Sequence, residues 1–148
     1  MDKFGYRYEM ASKLVENVDF NIALVSHPVA VIYLIEELEI EIIKGGVAQW
    51  LVNLSGSYAA QTIAALREVG ANRSAEIVEE IVQLLQYTGD LGDEAGRVAA
   101  VMRAEEAVHF AWYRLGDELL ADPDDLNSLQ RRYIAAHQHE FVLDGAGV

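Results

Sequence analysis

The sequence predicts an all-α protein: a single compact domain of about six to seven helices. Three observations predict it. Apolar residues recur at three- and four-residue spacing along most of the chain, as helices with a buried face require. No run alternates apolar and polar residues for long enough to suggest a sheet. The chain's two prolines, Pro28 and Pro123, both stand where helical patterns begin, where a missing N–H costs nothing. A length of 148 residues fits one domain, residues 1–148, burying roughly 70% of its unfolded surface.

The first helix is expected over residues 2–19, with Tyr6, Met10, Leu14 and Val18 as its stripe. Residues 20–25 read as a short apolar link or an extra turn, a strand there having no partner. Ser26-His27-Pro28 opens the second helix, serine as N-cap and proline in the first turn. Val31, Ile35, Leu38 and Ile42 lie on one face, and Ile32, Ile40 and Ile43 on nearly the opposite one. A helix apolar on two sides belongs at the centre of a fold or at a subunit interface, so a homodimer is expected. Glu36, Glu37, Glu39 and Glu41 fill the remainder and read as a solvated acidic flank. Glu41, at the edge of the apolar stripe, is placed to accept hydrogen bonds from backbone N–H groups of the next helix.

Gly45-Gly46 then marks a sharp reversal, because glycine enters positive φ freely. A short third helix follows, with Val47, Trp50, Leu51 and Leu54 on its core face. Gln49 and Asn53 are i,i+4 partners on another face, suited to tying loose backbone groups or lining a ligand site. Ser55-Gly56 is a second break only ten residues after the first. Two turns in so short a span make this helix–GlyGly–short helix–SerGly–helix unit the expected centre of the fold.

A fourth helix from Ser57 uses Tyr58, Thr62, Ile63, Leu66 and Val69, and stops at Gly70 as C-cap. Asn72 or Ser74 caps a fifth, with Ile77, Ile81, Leu84 and Leu85 inward and Glu76, Glu79 and Glu80 outward. Residues 88–93 form a loop. A long sixth helix over 94–120 carries the seam Val98, Val101, Glu105, Val108, Trp112, Leu115 and Leu119. That seam buries Glu105, which then needs a partner; His109 is the nearest candidate. Asp122-Pro123-Asp124-Asp125 opens the last helix, with aspartate as N-cap and proline first. Leu126, Leu129, Tyr133, His137 and Phe141 follow at core spacing, and residues 144–148 should fray.

A net charge of −13 repels nucleic acid and anionic membranes and attracts basic partners. With 52% hydrophobic residues the chain is not a disordered acidic tail, so the acids sit on a folded surface. The absence of cysteine excludes disulfides and thiolate chemistry. The N-terminus lacks a signal-peptide pattern and no apolar run is long enough for a membrane helix, so a soluble cytoplasmic protein is expected. Glu106-Ala107-Val108-His109 has the Glu-x-x-His spacing of di-iron bundles, which need that motif twice; it occurs once. Gly45-Gly46 is no phosphate loop, and no nucleophile elbow is visible. No catalytic residue, metal or cofactor is therefore assigned, and an enzyme is the less favoured class.

Glu41, then Gly45-Gly46-Val47-Ala48-Gln49-Trp50-Leu51-Val52-Asn53-Leu54-Ser55-Gly56, resembles the signature of a family of small bacterial all-helical proteins of unknown function. That family is related to an acidic DNA-mimic protein. Leu66-Arg67-Glu68-Val69-Gly70-Ala71 and the closing 133–141 segment are similar as well, so the resemblance spans residues 36–141. The matching motif positions are Glu41, Gly45, Gly46, Gln49, Trp50, Asn53, Ser55 and Gly56. Ile43 and Lys44 stand where the family has two asparagines, and Val47 where it has phenylalanine. The resemblance implies an acidic, dimeric protein that occupies the DNA-binding surface of another protein.

The expected function is thus an interaction protein. Glu36, Glu37, Glu39, Glu76, Glu79 and Glu80 would form the partner-binding surface for a basic protein such as a DNA-binding regulator, nuclease or toxin. Two alternatives stand beside it: a small-ligand or metal-dependent protein using polar groups near the Gly-Gly turn, and a purely structural homodimer.

Overall fold

A computed structural model of the chain describes residues 3–142, with side chains from residue 9 onward. The expectations for Tyr6 and for residues 144–148 lie outside what is described. Among the described residues there are seven α-helices and no strand, packed as one all-helical body. They are α1 (Lys3–Glu16), α2 (His27–Val52), α3 (Ala59–Glu68), α4 (Asn72–Leu84), α5 (Glu94–Arg103), α6 (Glu106–Leu120) and α7 (Leu126–Ala136). Short 3-10 turns occupy Ile22–Leu24, Leu54–Tyr58 and Gln138–Glu140.

Helix α2 is the hub, packing against α1, α3, α5 and α6 and reaching α7. Its two-sided apolar pattern explains why. Val31, Ile35, Leu38 and Ile42 are buried, and so are Val29, Ile32 and Leu34 on other sides. The second face is only partly covered: Ile40 is half-buried and Ile43 is 68% exposed. The second and third expected helices form one element bent at Gly46, whose φ of 83° and ψ of −179° are essentially glycine-only.

Several expected details are replaced. Among the described side chains of α1 the fully buried ones are Ala11 and Val15, while Met10 and Leu14 pack at the rim. The helix closes with Asp19 N–H on the Glu16 carbonyl and Phe20 N–H on Val15, a Schellman end with aspartate in glycine's usual place. Ser26 holds the N-cap position without a side-chain bond to the helix. Leu54, expected in the core, is 58% exposed because a 3-10 turn begins there. Gly70 does close α3: its φ is 93°, its N–H meets the Arg67 carbonyl and Ala71 N–H meets Leu66.

The expected 94–120 helix is two helices. Ala104 and Glu105 adopt extended backbone, and Glu105 becomes the exposed N-cap position of α6. The break re-aims the seam, so Val101 and Trp112 stay buried while the carboxylate reaches water, and no partner is required. The Trp112 indole N–H donates to the Ile81 carbonyl at 3.0 Å.

The acidic turn before α7 is also reassigned. Asp125, not Asp122, is the N-cap, and Pro123 lies outside the helix. Asp122 Oδ1 accepts from Leu126 N–H at 2.7 Å. Asp124 instead caps α4, accepting from Ser74 N–H at 2.6 Å and Arg73 N–H at 3.4 Å. Neither Asn72 nor Ser74 caps α4, whose start is closed by a carboxylate about fifty positions away. In α7, Leu126, Tyr133 and the following Phe141 are buried as expected, joined by Gln130 and Ile134.

Arg97 on α5 is 2% exposed. Its Nε donates to the Leu51 carbonyl at 2.6 Å, Nη2 to the Asn53 carbonyl at 3.1 Å, and Nη1 to the Leu91 carbonyl at 2.5 Å. The guanidinium thus closes the C-terminal end of α2, where carbonyls lack helical partners and the dipole favours a cation. Arg97→Met is expected to cost on the order of 3 kcal/mol or more in urea unfolding, since it strands buried carbonyls. Arg97→Lys should recover little, because one ammonium cannot serve three divergent acceptors. Near-parental stability of either variant would contradict this account.

Candidate functional site

The bend in α2 brings distant polar groups together. Twelve residues along a straight helix span about 18 Å, yet Asn53 Nδ2 donates to Glu41 Oε2 at 2.7 Å. Gln49 Nε2 donates to the same oxygen at 3.2 Å. The two arms therefore fold sharply against each other, as the double glycine implied. Glu41 is an acceptor, as expected, but its donors are the side-chain amides of Gln49 and Asn53 rather than backbone N–H groups.

The other motif residues make this clamp possible. The Gln49 side chain lies over Gly45, so a Cβ there would collide with it. Gly56 sits against the Leu51 carbonyl and has no room for a Cβ. Its N–H donates to the Asn53 carbonyl at 3.0 Å, beside the bond from Arg97. Trp50 is fully buried and anchors the short arm, with Ser55 Oγ 3.5 Å from its carbonyl.

A cavity of about 290 Å³ opens beside the bend, lined by Glu41 and Asn53 together with Phe20, Tyr33, Glu37 and Tyr58. Tyr33, Glu37 and Glu41 lie at i, i+4 and i+8 on one face of α2. Burial pushes the Tyr33 hydroxyl up to about 12, helped by the charges of Glu37, Tyr58 and Glu41. The aromatic members escaped the sequence reading, although the spacing of Tyr33 from Glu37 and Glu41 was a usable signal.

The six acids expected to form a partner surface are divided between two helices. On α2, Glu36, Glu37 and Glu39 are half-buried, not a freely solvated flank. Burial raises the Glu39 carboxyl to about 7, with a further contribution from Asp122. On α4, Glu76 and Glu80 are exposed and Glu79 is half-buried. Arg67 pairs with Glu79, while Arg73 pairs with Glu76 and with Glu118.

A second polar cluster, absent from the sequence reading, joins α2, α3 and α7. Tyr133 Oη donates to Glu68 Oε2 at 2.5 Å, and His27 Nε2 lies 2.6 Å from Glu68 Oε1. Burial pushes the Glu68 carboxyl up, but the hydrogen bonds from Tyr133 and His27 and the nearby histidines outweigh it and hold the group low. Glu106 and His109 are both exposed, with His109 edge-on to Trp112 at 5.0 Å. Among the described residues no three histidine or carboxylate side chains converge as a metal set. No described helix is long and apolar enough to cross a membrane.

Residues 23–137 match the family described as DMP19-like protein, covering the bend, both acidic helices and the whole of α7. The chain belongs to the DMP19-like family. No curated protein and no solved structure matches it significantly. Membership agrees with the family resemblance read from residues 36–141.

The raised Glu39 carboxyl has a pH signature. Its folded value of about 7 exceeds the ordinary 4.5, so its contribution to stability is full below about pH 4.5 and lost as pH rises through 7. Glu39→Gln should match the parent at pH 5 and exceed it at pH 8 by roughly 1–3 kcal/mol in urea unfolding. An unchanged difference across that range would remove the assignment.

Proposed function

We propose that this DMP19-like protein is an acidic interaction protein whose fixed carboxylates occupy the basic surface of a DNA-binding regulator or nuclease in place of DNA. Family membership over residues 23–137 in a chain of net charge −13 carries the reading. The helical body supports it, because carboxylates on packed helices lose less freedom on binding than those of a flexible tail. Arg67 and Arg73 further hold Glu79 and Glu76 in place. The immobilised protein should retain purified basic DNA-binding proteins at about 50 mM NaCl and release them near 300 mM, since added salt shortens the reach of each charge pair. Added duplex DNA should compete for the same partner surface. Absence of any retention at low salt would end the proposal.

Self-association has its own support. Ile43, 68% exposed, lines an open groove with Tyr113 and Leu120 of α6. Phe110, one turn before Tyr113, is 69% exposed. An apolar strip of this kind, flanked by acids, suits a homodimer contact. Ile43→Asp should convert a dimer to a folded monomer in sedimentation; an unchanged size would argue against this face.

A further inference from the structure

The cavity beside the α2 bend has a composition that selects for charge. Three aromatic rings, Phe20, Tyr33 and Tyr58, share its lining with the carboxylates of Glu37 and Glu41. Among the described residues the lining contributes no lysine, arginine or histidine. Rings present negative faces to a cation, and carboxylates add the opposite charge, whereas an anion would meet repulsion from both.

The lining is also preorganised. Glu41 Oε2 is fixed by two amide donors, Gln49 and Asn53, which stop its carboxylate from turning. Asn53 is fixed in turn through its carbonyl by Arg97. Phe20 is held at a φ of 61°, directly after Asp19 at 55°; two successive left-handed non-glycine residues each cost on the order of 1 kcal/mol. That backbone places a ring, 44% exposed, at the cavity's edge instead of in the core. A volume of about 290 Å³ lies near the lower end for small-molecule clefts and suits one cationic head with a short stem rather than a nucleotide.

We propose that this cavity binds a single organic cation, a guanidinium or alkylammonium head. The source is either an arginine or lysine side chain of a basic partner or a free small amine. A partner as source rests on the function proposed above; the cavity's preference for a cation does not.

The test is an NMR and calorimetric titration of the full chain with four probes. Agmatine and butylurea, a neutral urea analogue with the same four-carbon stem and no amine, represent the free amine. A short capped peptide with one central arginine, and its citrulline counterpart, represent the partner. Agmatine should shift the amide resonances of Tyr33, Asn53 and Leu54 and bind at least about tenfold more tightly than the urea analogue. Phe20→Ala and Glu37→Gln, each checked for an unchanged melting temperature, should weaken it about tenfold, whereas Glu94→Gln on the surface should not.

Charge-selective binding of the peptide as well supports the cavity and assigns the cation to a protein partner. Binding of agmatine alone supports the cavity and assigns it to a free amine. Equal binding of charged and neutral probes, or shifts spread over the acidic surface and indifferent to both cavity variants, overturns the inference. Basic proteins retained at low salt without agmatine binding would overturn it while leaving the proposed function standing. Agmatine binding with no basic protein retained would do the reverse.

Discussion

The buried guanidinium of Arg97 is the constraint on which the centre of this fold depends. After the bend at Gly46, the short arm of α2 stops within two turns, leaving carbonyls at Leu51 and Asn53 that water does not reach freely. A cation with several donors in a rigid plane satisfies both and also the Leu91 carbonyl of the preceding loop. Asn53 is consequently gripped twice, by Arg97 through its backbone and by Glu41 through its amide. The angle between the two arms, and with it the cavity, follows from those two grips. α5 is fastened to α2 by the same group, so the loop before it is drawn in as well.

Much of this architecture was legible in the residues. Gly70 announced the end of α3, and the two-sided apolar pattern of α2 announced a central helix. Gly45-Gly46 announced the fold-back that the Glu41–Asn53 bond makes visible. What stayed hidden has a common cause. Arg97 finds its acceptors among backbone carbonyls, two of them more than forty positions away, and backbone groups leave no trace in side-chain patterns. Asp124 caps α4 in the same long-range way, so its place in an apparent Asp-Pro helix start was misleading. The break at Ala104-Glu105 carries neither glycine nor proline; burial of a carboxylate in the seam drives it, and helix propensity alone pointed the other way.

The acidity reads differently in three dimensions. A formal charge of −13 counts every carboxyl as ionised, yet Glu39 titrates near neutrality. Arg67 and Arg73 are themselves engaged by Glu79, Glu76 and Glu118, so part of the α4 array is already neutralised locally. Such pairs are exposed and weak individually, and an approaching basic surface can exchange with the arginines at small cost. A carboxylate held by an arginine is ordered in advance of any contact its surface makes. The array therefore trades field strength for position, which under the proposed function would favour selectivity over raw attraction.

The family motif divides along the same lines. Glu41, Gln49 and Asn53 form the inner clamp, and Gly45 and Gly56 give the room it needs. Ile43 and Lys44 are both exposed and line the outer groove with Tyr113 and Leu120. Val47 is buried against α6, where a Cβ on Gly116 would already lie 3.2 Å from its methyl group. Its size matches a close helix approach. Ile43, Lys44 and Val47 thus fall on the face turned toward α6 and solvent, away from the clamp around the cavity. A chain can alter what its outer face meets without disturbing the bend, because the forces fixing the bend are the amides on Glu41 and the guanidinium behind Asn53.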